Sequence, residues 1–273
     1  LSSRRAGPLR GPARSDDKVW RRGAQAARGF FPDIDWITRK NVKIRFMRST
    51  RRFRATLNLC RLVLLCLACG WGGSSALEVN AEKLQSLSAS RYGARGAKAV
   101  TNWLQLLRGA APPLEKDRLT LANDFWNRAL LSGEDITIWG KDDYWATPLE
   151  SLGKGAGDCE DYVIGKYFTL LSMGVPANKL RFIYVRARVG GPASSSQIAH
   201  MVLGYYETPN AVPLVLDSLV STILPASQRR DLTPVFSFNA DGVYVDGKPA
   251  APVDRLSRWR DLLQRMEREG IRP

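Results

Sequence analysis

After Ala76 the chain has one cysteine, Cys159, and one histidine, His200; its other three cysteines, Cys60, Cys66 and Cys69, come earlier. One thiol cannot build a disulfide framework, and one thiol with one imidazole cannot complete a cysteine/histidine zinc site. A single thiol is compatible with an oxidising compartment, because nothing is available to mispair with it. The same region has no excess of one charge. Residues 1–76 hold 17 Lys/Arg against 4 Asp/Glu, a net of +13, whereas residues 77–273 hold 24 against 22, a net of +2, so the basic excess belongs to the leader. That balance gives no support to nucleic-acid binding, which needs a basic face on the folded domain. A membrane-spanning run is also lacking: Leu62 to Ala68 is well short of the ~20 apolar residues a spanning helix needs.

The leader has its own order. Residues 1–46 are rich in Arg, Gly and Pro and precede the first methionine, Met47. They are expected to be an over-extended start. Residues 47–76 run from a basic stretch (Arg48, Arg51, Arg52, Arg54, Arg61) through the apolar core to Ser74-Ser75-Ala76, which places small residues at −3 and −1 of a cut after Ala76. This is the layout of a cleaved secretory signal, so export is expected, with the membrane met only through that signal. An uncleaved anchor is the alternative. Residues 77–273 then form one domain of a size that supports a full core.

Within that domain the first half reads as helical. Short helices are expected over 81–90 and 97–108, the second with Val100, Trp103, Leu104 and Leu107 at helical spacing. Another is expected over 114–131 with Leu121, Phe125 and Leu130 inward. Thr147-Pro148-Leu149-Glu150 spells an N-cap, a proline at the first helical position and a capping-box acid. A loop with Gly153, Gly155 and Gly157 leads to a helix over about 158–173. The period then changes to strands at 180–188, 199–207 and 212–216, a hairpin at 235–238 and 242–245, and a last helix at 254–269. Helices first and antiparallel strands second imply an α+β fold.

Cys159 lies in Gly157-Asp158-Cys159-Glu160-Asp161-Tyr162, at the start of the helix that follows the glycine loop. A helix N-terminus favours a thiolate, and a backbone amide there can serve an oxyanion. The thiolate needs a base, and His200 is the candidate. The imidazole needs an acceptor to fix its tautomer, and Asp217, ending Pro213-Leu214-Val215-Leu216-Asp217, is the candidate if the strands before it pair. Against this, a lone cysteine is commonly a buried hydrophobe, a lone histidine structural, and a strand-ending aspartate a turn former. The conjunction favours a Cys–His acyl-transfer enzyme. Trp145 is a candidate to line a substrate cleft, or a core residue.

These residues resemble a known family. Asp143-Tyr144-Trp145-Ala146-Thr147-Pro148-Leu149-Glu150, Gly155-Ala156-Gly157-Asp158-Cys159-Glu160-Asp161-Tyr162, Lys166-Tyr167, Ala199-His200-Met201-Val202-Leu203 and Leu216-Asp217 are similar to the bacterial transglutaminase-like cysteine proteinases of the LapG type, over roughly residues 78–245. The resemblance implies a papain-like, transglutaminase-like core with a Cys159, His200, Asp217 triad in a periplasmic enzyme. It implies cleavage of the N-terminal region of a large surface adhesin at a di-alanine site, which controls biofilm attachment. An inner-membrane receptor for cyclic di-GMP is implied as its inhibitor. Calcium is implied beside the cysteine, through Asp158 and Glu160, with Asp161 a further ligand. Without the resemblance Asp158 and Glu160 read as a helix cap and a first-turn acid. Two other readings share the residues: an amide acyltransferase, in which an amine replaces water, and a non-catalytic binding domain of the same fold.

Overall fold

The computed structural model describes residues 77–191 and 193–272. The expected extension at 1–46 and signal peptide at 47–76 lie outside them. In chain order the elements are β1 (Glu78–Val79), α1 (Ala81–Arg108), α2 (Glu115–Ala129), β2 (Leu131–Ser132), α3 (Asp135–Trp139), α4 (Pro148–Lys154), β3 (Ala156–Gly157) and α5 (Cys159–Ser172). There follow β4 (Leu180–Arg188), β5 (Gln197–Tyr205), β6 (Leu214–Leu216), β7 (Leu224–Pro225), β8 (Leu232–Asn239), β9 (Gly242–Val245), β10 (Lys248–Ala251), α6 (Ser257–Glu269) and β11 (Ile271–Arg272). Helices come first and the antiparallel sheet second, as an α+β fold requires. Among the described residues no helix is long and apolar enough to cross a membrane. The chain forms two compact units, one of helices (residues 77–177 and 262–272) and one built on the sheet (residues 178–261).

In the helical unit the two short helices expected over 81–90 and 97–108 are a single element, α1. It is broken at Gly93, whose φ of 66° and ψ of −165° suit glycine. Asn80 caps its start, accepting from the Lys83 amide at 3.0 Å. The inward face of α2 is Leu119, Ala122 and Trp126; Leu121, expected inside, is exposed. Trp126 sets that rotation: its Nε1 and that of Trp103 donate to the same Thr169 hydroxyl on α5, at 2.8 and 2.9 Å. All three side chains are buried, so a turn of α2 would strand the Trp126 indole donor. The capping box at the start of α4 forms as spelled, with Glu150 N–H donating to Thr147 Oγ1 at 3.2 Å and Thr147 N–H to Glu150 Oε2 at 2.9 Å. Arg265 then pairs with Glu150 and donates to the Trp145 carbonyl at 2.6 Å.

The sheet has the order β10-β9-β8-β4-β5-β6-β7, every neighbouring pair antiparallel. Its centre is β4 with β5, paired from Leu180↔Tyr205 to Arg188↔Gln197. One face carries Phe182, stacked on Phe238 with centroids 4.7 Å apart and edge-on to Trp259 at 5.2 Å. The other carries Ile183, Val185, Val202 and Val215. Strand β8 begins earlier than the expected 235–238. Its register slips between Tyr184↔Phe236 and Val185↔Pro234, and a bulge there admits a proline that has no N–H to give.

Candidate active site

Cys159 is the first residue of α5, half-buried, with Asp158 at the N-cap position. What surrounds it follows from a two-residue parallel pairing. Leu131 and Ser132 of β2 pair with Ala156 and Gly157 of β3, and Gly133 N–H donates to Gly157 O at 3.1 Å. That pairing carries the chain past the glycine loop and sets Asp135, two residues beyond Gly133, beside Asp158. A Cβ on Gly157 would stand 2.7 Å from the Asp161 side chain, so glycine lets that carboxylate fold back over the loop. Asp161 Oδ1 accepts from Ala146 N–H at 2.7 Å, and Asp135 accepts from Tyr144 N–H.

One oxygen from each of Asp135, Asp158 and Asp161 lies within 4.8 Å of the others. Asp135 Oδ1, Asp158 Oδ1 and Asp161 Oδ2 are buried with no hydrogen-bond partner. Burial, with the charges of Glu160, Asp161 and Asp135 added, pushes the Asp158 carboxyl up to about 12. Burial also holds Asp161 well above the carboxylate range and lifts Asp135 to about 6. Carboxyl groups packed this way resist sharing a site as anions unless a cation joins them. An all-oxygen donor set of this kind suits a hard cation.

Of the residues expected to ligate metal, Asp158 and Asp161 come together. Glu160 is buried beside them and acts on all three electrostatically, and its Oε2 accepts from Cys159 Sγ at 2.7 Å. Asp135 was not legible in the sequence. Glu134-Asp135 after Ser132-Gly133 has the look of an ordinary helix start, and pairing this short leaves no periodic signal. Trp145 is 6% exposed; its Nε1 donates to Asp143 Oδ1 at 3.1 Å, and the next residue, Ala146, is the one bound by Asp161. Its surroundings are those of a packed side chain next to the acidic group.

In the sheet unit His200 sits on β5 opposite Val185, on the Val202 and Val215 face. Asp217 follows β6 one residue past the Leu203↔Leu216 pair, and this returns its side chain to the same face. His200 Nε2 and Asp217 Oδ1 are 2.6 Å apart, both groups buried. Since an ionised carboxylate only accepts, the proton belongs on Nε2, and Nδ1 is left as the basic nitrogen. The Leu219 amide also donates to Oδ1, at 3.0 Å, and Arg229 Nη2 donates to Oδ2 at 2.6 Å. Burial alone would raise the Asp217 pKa, but its bonds to His200, Leu219 and Arg229 outweigh it and bring the carboxyl down to about 2.

The helical unit thus presents a thiol at a helix start among carboxylates. The sheet unit presents an imidazole with an assigned tautomer. Together these are the groups of nucleophilic acyl transfer. The family model of the bacterial transglutaminase-like cysteine proteinases matches residues 109–228, which include Cys159, His200 and Asp217. Among solved structures the chain is similar to LapG of Legionella pneumophila, at 39% identity over 70% of this chain and 99% of that one, with a TM-score of 0.60. An EGTA-treated form of that protein matches at 39% identity over 70% and 100%, TM-score 0.60. A calcium-bound form matches at 40% over 68% and 98%, TM-score 0.58. No curated protein sequence matches. With nearly the whole length of LapG covered at this identity, the chain belongs to the bacterial transglutaminase-like cysteine proteinase family.

Proposed function

We propose that this protein is a periplasmic, calcium-dependent cysteine endopeptidase that cuts the N-terminal region of a large surface adhesin and so controls biofilm attachment. In this reading Cys159 is the nucleophile, His200 the proton carrier and Asp217 the group that orients it. The observation that carries the reading is the 2.6 Å bond from His200 Nε2 to Asp217, which commits the chain's only imidazole to the tautomer a base needs.

The chemistry then runs in two halves. His200 Nδ1 takes the Cys159 proton, and Sγ attacks the scissile carbonyl. Backbone amides at the start of α5 stabilise the oxyanion. The imidazolium returns the proton to the leaving amine, and a thioester remains. Water attacks the thioester, giving up its proton to His200, and the acid product leaves as Cys159 regains a proton. Asp217 stays ionised throughout and stabilises the imidazolium.

Calcium fits the acidic group, with Asp135, Asp158 and Asp161 as the holders and Glu160 beside them, because buried orphan carboxylate oxygens converge there. Bound there, it would neutralise carboxylates that otherwise disfavour a neighbouring thiolate. The calcium-bound and EGTA-treated LapG structures support the assignment. The adhesin, the periplasmic location and an inhibitory inner-membrane receptor for cyclic di-GMP rest on the family resemblance. The test is cleavage of a purified adhesin N-terminal fragment, with the new termini identified by mass spectrometry. Wild type should make one cut and Cys159→Ala none; cleavage by Cys159→Ala refutes the proposal.

A further inference from the structure

Arg229 has no part in the chemistry above, yet it is among the most buried charged side chains in the sheet unit, 3% exposed. It stands just past a short 3-10 turn at Ala226–Gln228, where its own N–H donates to Ala226 O at 3.1 Å and its carbonyl accepts from Leu232 N–H at 3.1 Å. The turn fixes its backbone, and the side chain lies between two carboxylates. Nη2 reaches Asp217 Oδ2 at 2.6 Å and Asp231 Oδ2 at 2.7 Å, while Nε reaches Asp231 Oδ1 at 3.1 Å. Asp231 is partly exposed and grips the guanidinium through both oxygens.

We infer that Arg229 is a positioning residue of the proposed Cys–His–Asp centre, holding Asp217 in the rotamer that keeps the His200 proton on Nε2. The inference rests on the triad reading. With Oδ2 bound to Arg229 and Oδ1 to the Leu219 amide, the carboxylate cannot turn about its Cβ–Cγ bond, so Oδ1 faces the imidazole in one orientation only. A buried ion pair is weak grounds for stability, since an apolar replacement commonly serves as well. It does restrict geometry, and the planar fork of arginine does so through several donors at once. Asp231 holds the fork in turn. Its charge leaves Asp217, Asp231 and Arg229 one negative charge in sum, which the imidazolium balances when it forms.

Because His200 is the only histidine in the chain, its ring nitrogens can be read alone by 15N NMR on protein purified without a histidine tag. The experiment compares calcium-loaded wild type, Arg229→Gln and Arg229→Lys, with a peptide spanning a di-alanine site as the substrate. Wild type should show the Nε2–H tautomer. Arg229→Gln should show a mixture, with kcat down roughly 10–100-fold and KM within about twofold, because a misaimed base impairs the reacting step rather than binding. Arg229→Lys keeps the charge but loses the fork, and should recover most of the tautomer while kcat stays several-fold low. An unchanged tautomer in folded Arg229→Gln overturns the proposal whatever its rate. If that protein does not fold, wild-type kcat in Arg229→Lys overturns it instead. Full turnover by His200→Ala would remove the triad itself, whereas an inactive His200→Ala beside an unaltered Arg229→Gln removes only the role of Arg229.

Discussion

The two sets of buried carboxylates in this protein behave in opposite ways. Beside Cys159, Asp158 is pushed up to about 12 by burial and by its acidic neighbours. Beside His200, Asp217 is the less exposed of the two, yet it is drawn down to about 2. Burial acts in the same direction on both, so the difference lies in the partners. Asp217 has its counter-charge in the chain, from Arg229, and a further donor in the His200 ring. The group around Asp158 has three oxygens that meet no donor. The first arrangement is complete as folded, and the second calls for a cation from solution.

The largest effect should come from breaking either half of the chemistry. Cys159→Ala and His200→Ala should each lower cleavage by at least about a thousandfold with circular dichroism unchanged, because residues 77–273 hold no other thiol or imidazole. Next comes the cation. Chelator should abolish most activity, and calcium but not magnesium should restore it, because magnesium demands a tight octahedron and gives up water reluctantly. Calcium at about 100 times its Kd should also stabilise the fold by ~2.7 kcal/mol, seen as a rise in Tm of several degrees. Magnesium rescue at equal concentration would contradict the assignment.

Asp217→Asn sharpens the other side of the comparison. Activity should fall by roughly 10²–10⁴, with a residue of turnover left, because the ring can still bind but in a poorer tautomer. It should also change the response to pH. A folded pKa of about 2 lies below the unfolded value, so Asp217 adds about 2 kcal/mol that is fully present above pH ~4 and is lost as pH falls through about 2. Acid titrations of the two proteins should therefore converge at the low end. Their running parallel would mean that Asp217 is not held ionised by its neighbours.

The smallest effect is expected at Glu269 in the helical unit. Burial, with the charge of Glu150 added, lifts this carboxyl to about 7 despite Arg91 at 3.4 Å. A raised acid holds its proton in the folded state, so stability falls as pH rises from the unfolded value towards 7. Glu269→Gln should raise Tm by several degrees at pH 8 and leave it nearly unchanged at pH ~4, below the unfolded value. Equal shifts at both would assign the effect to packing.

Local chemistry was legible along the chain and non-local pairing was not. Thr147-Pro148-Leu149-Glu150 announced its cap because both halves of a capping box lie three residues apart. Cys159, His200 and Asp217 stood out through scarcity and strand order. Asp135 and Arg229 gave no such sign. The first reaches its place through a two-residue parallel pairing, and the second through a turn whose neighbour across the fold is twelve residues away in sequence. Leu121 was misplaced because helical spacing sets a periodicity and not a rotation, and here the rotation of α2 is set by a shared hydroxyl, that of Thr169.

Calcium titration calorimetry tests the contrast between the two carboxylate groups most directly. Wild type and Asp217→Asn should bind one calcium with equal affinity, and Asp135→Asn should bind at least about tenfold more weakly. No calcium binding by wild type, or wild-type affinity in Asp135→Asn, would contradict the assignment of the acidic group beside Cys159 as a cation site.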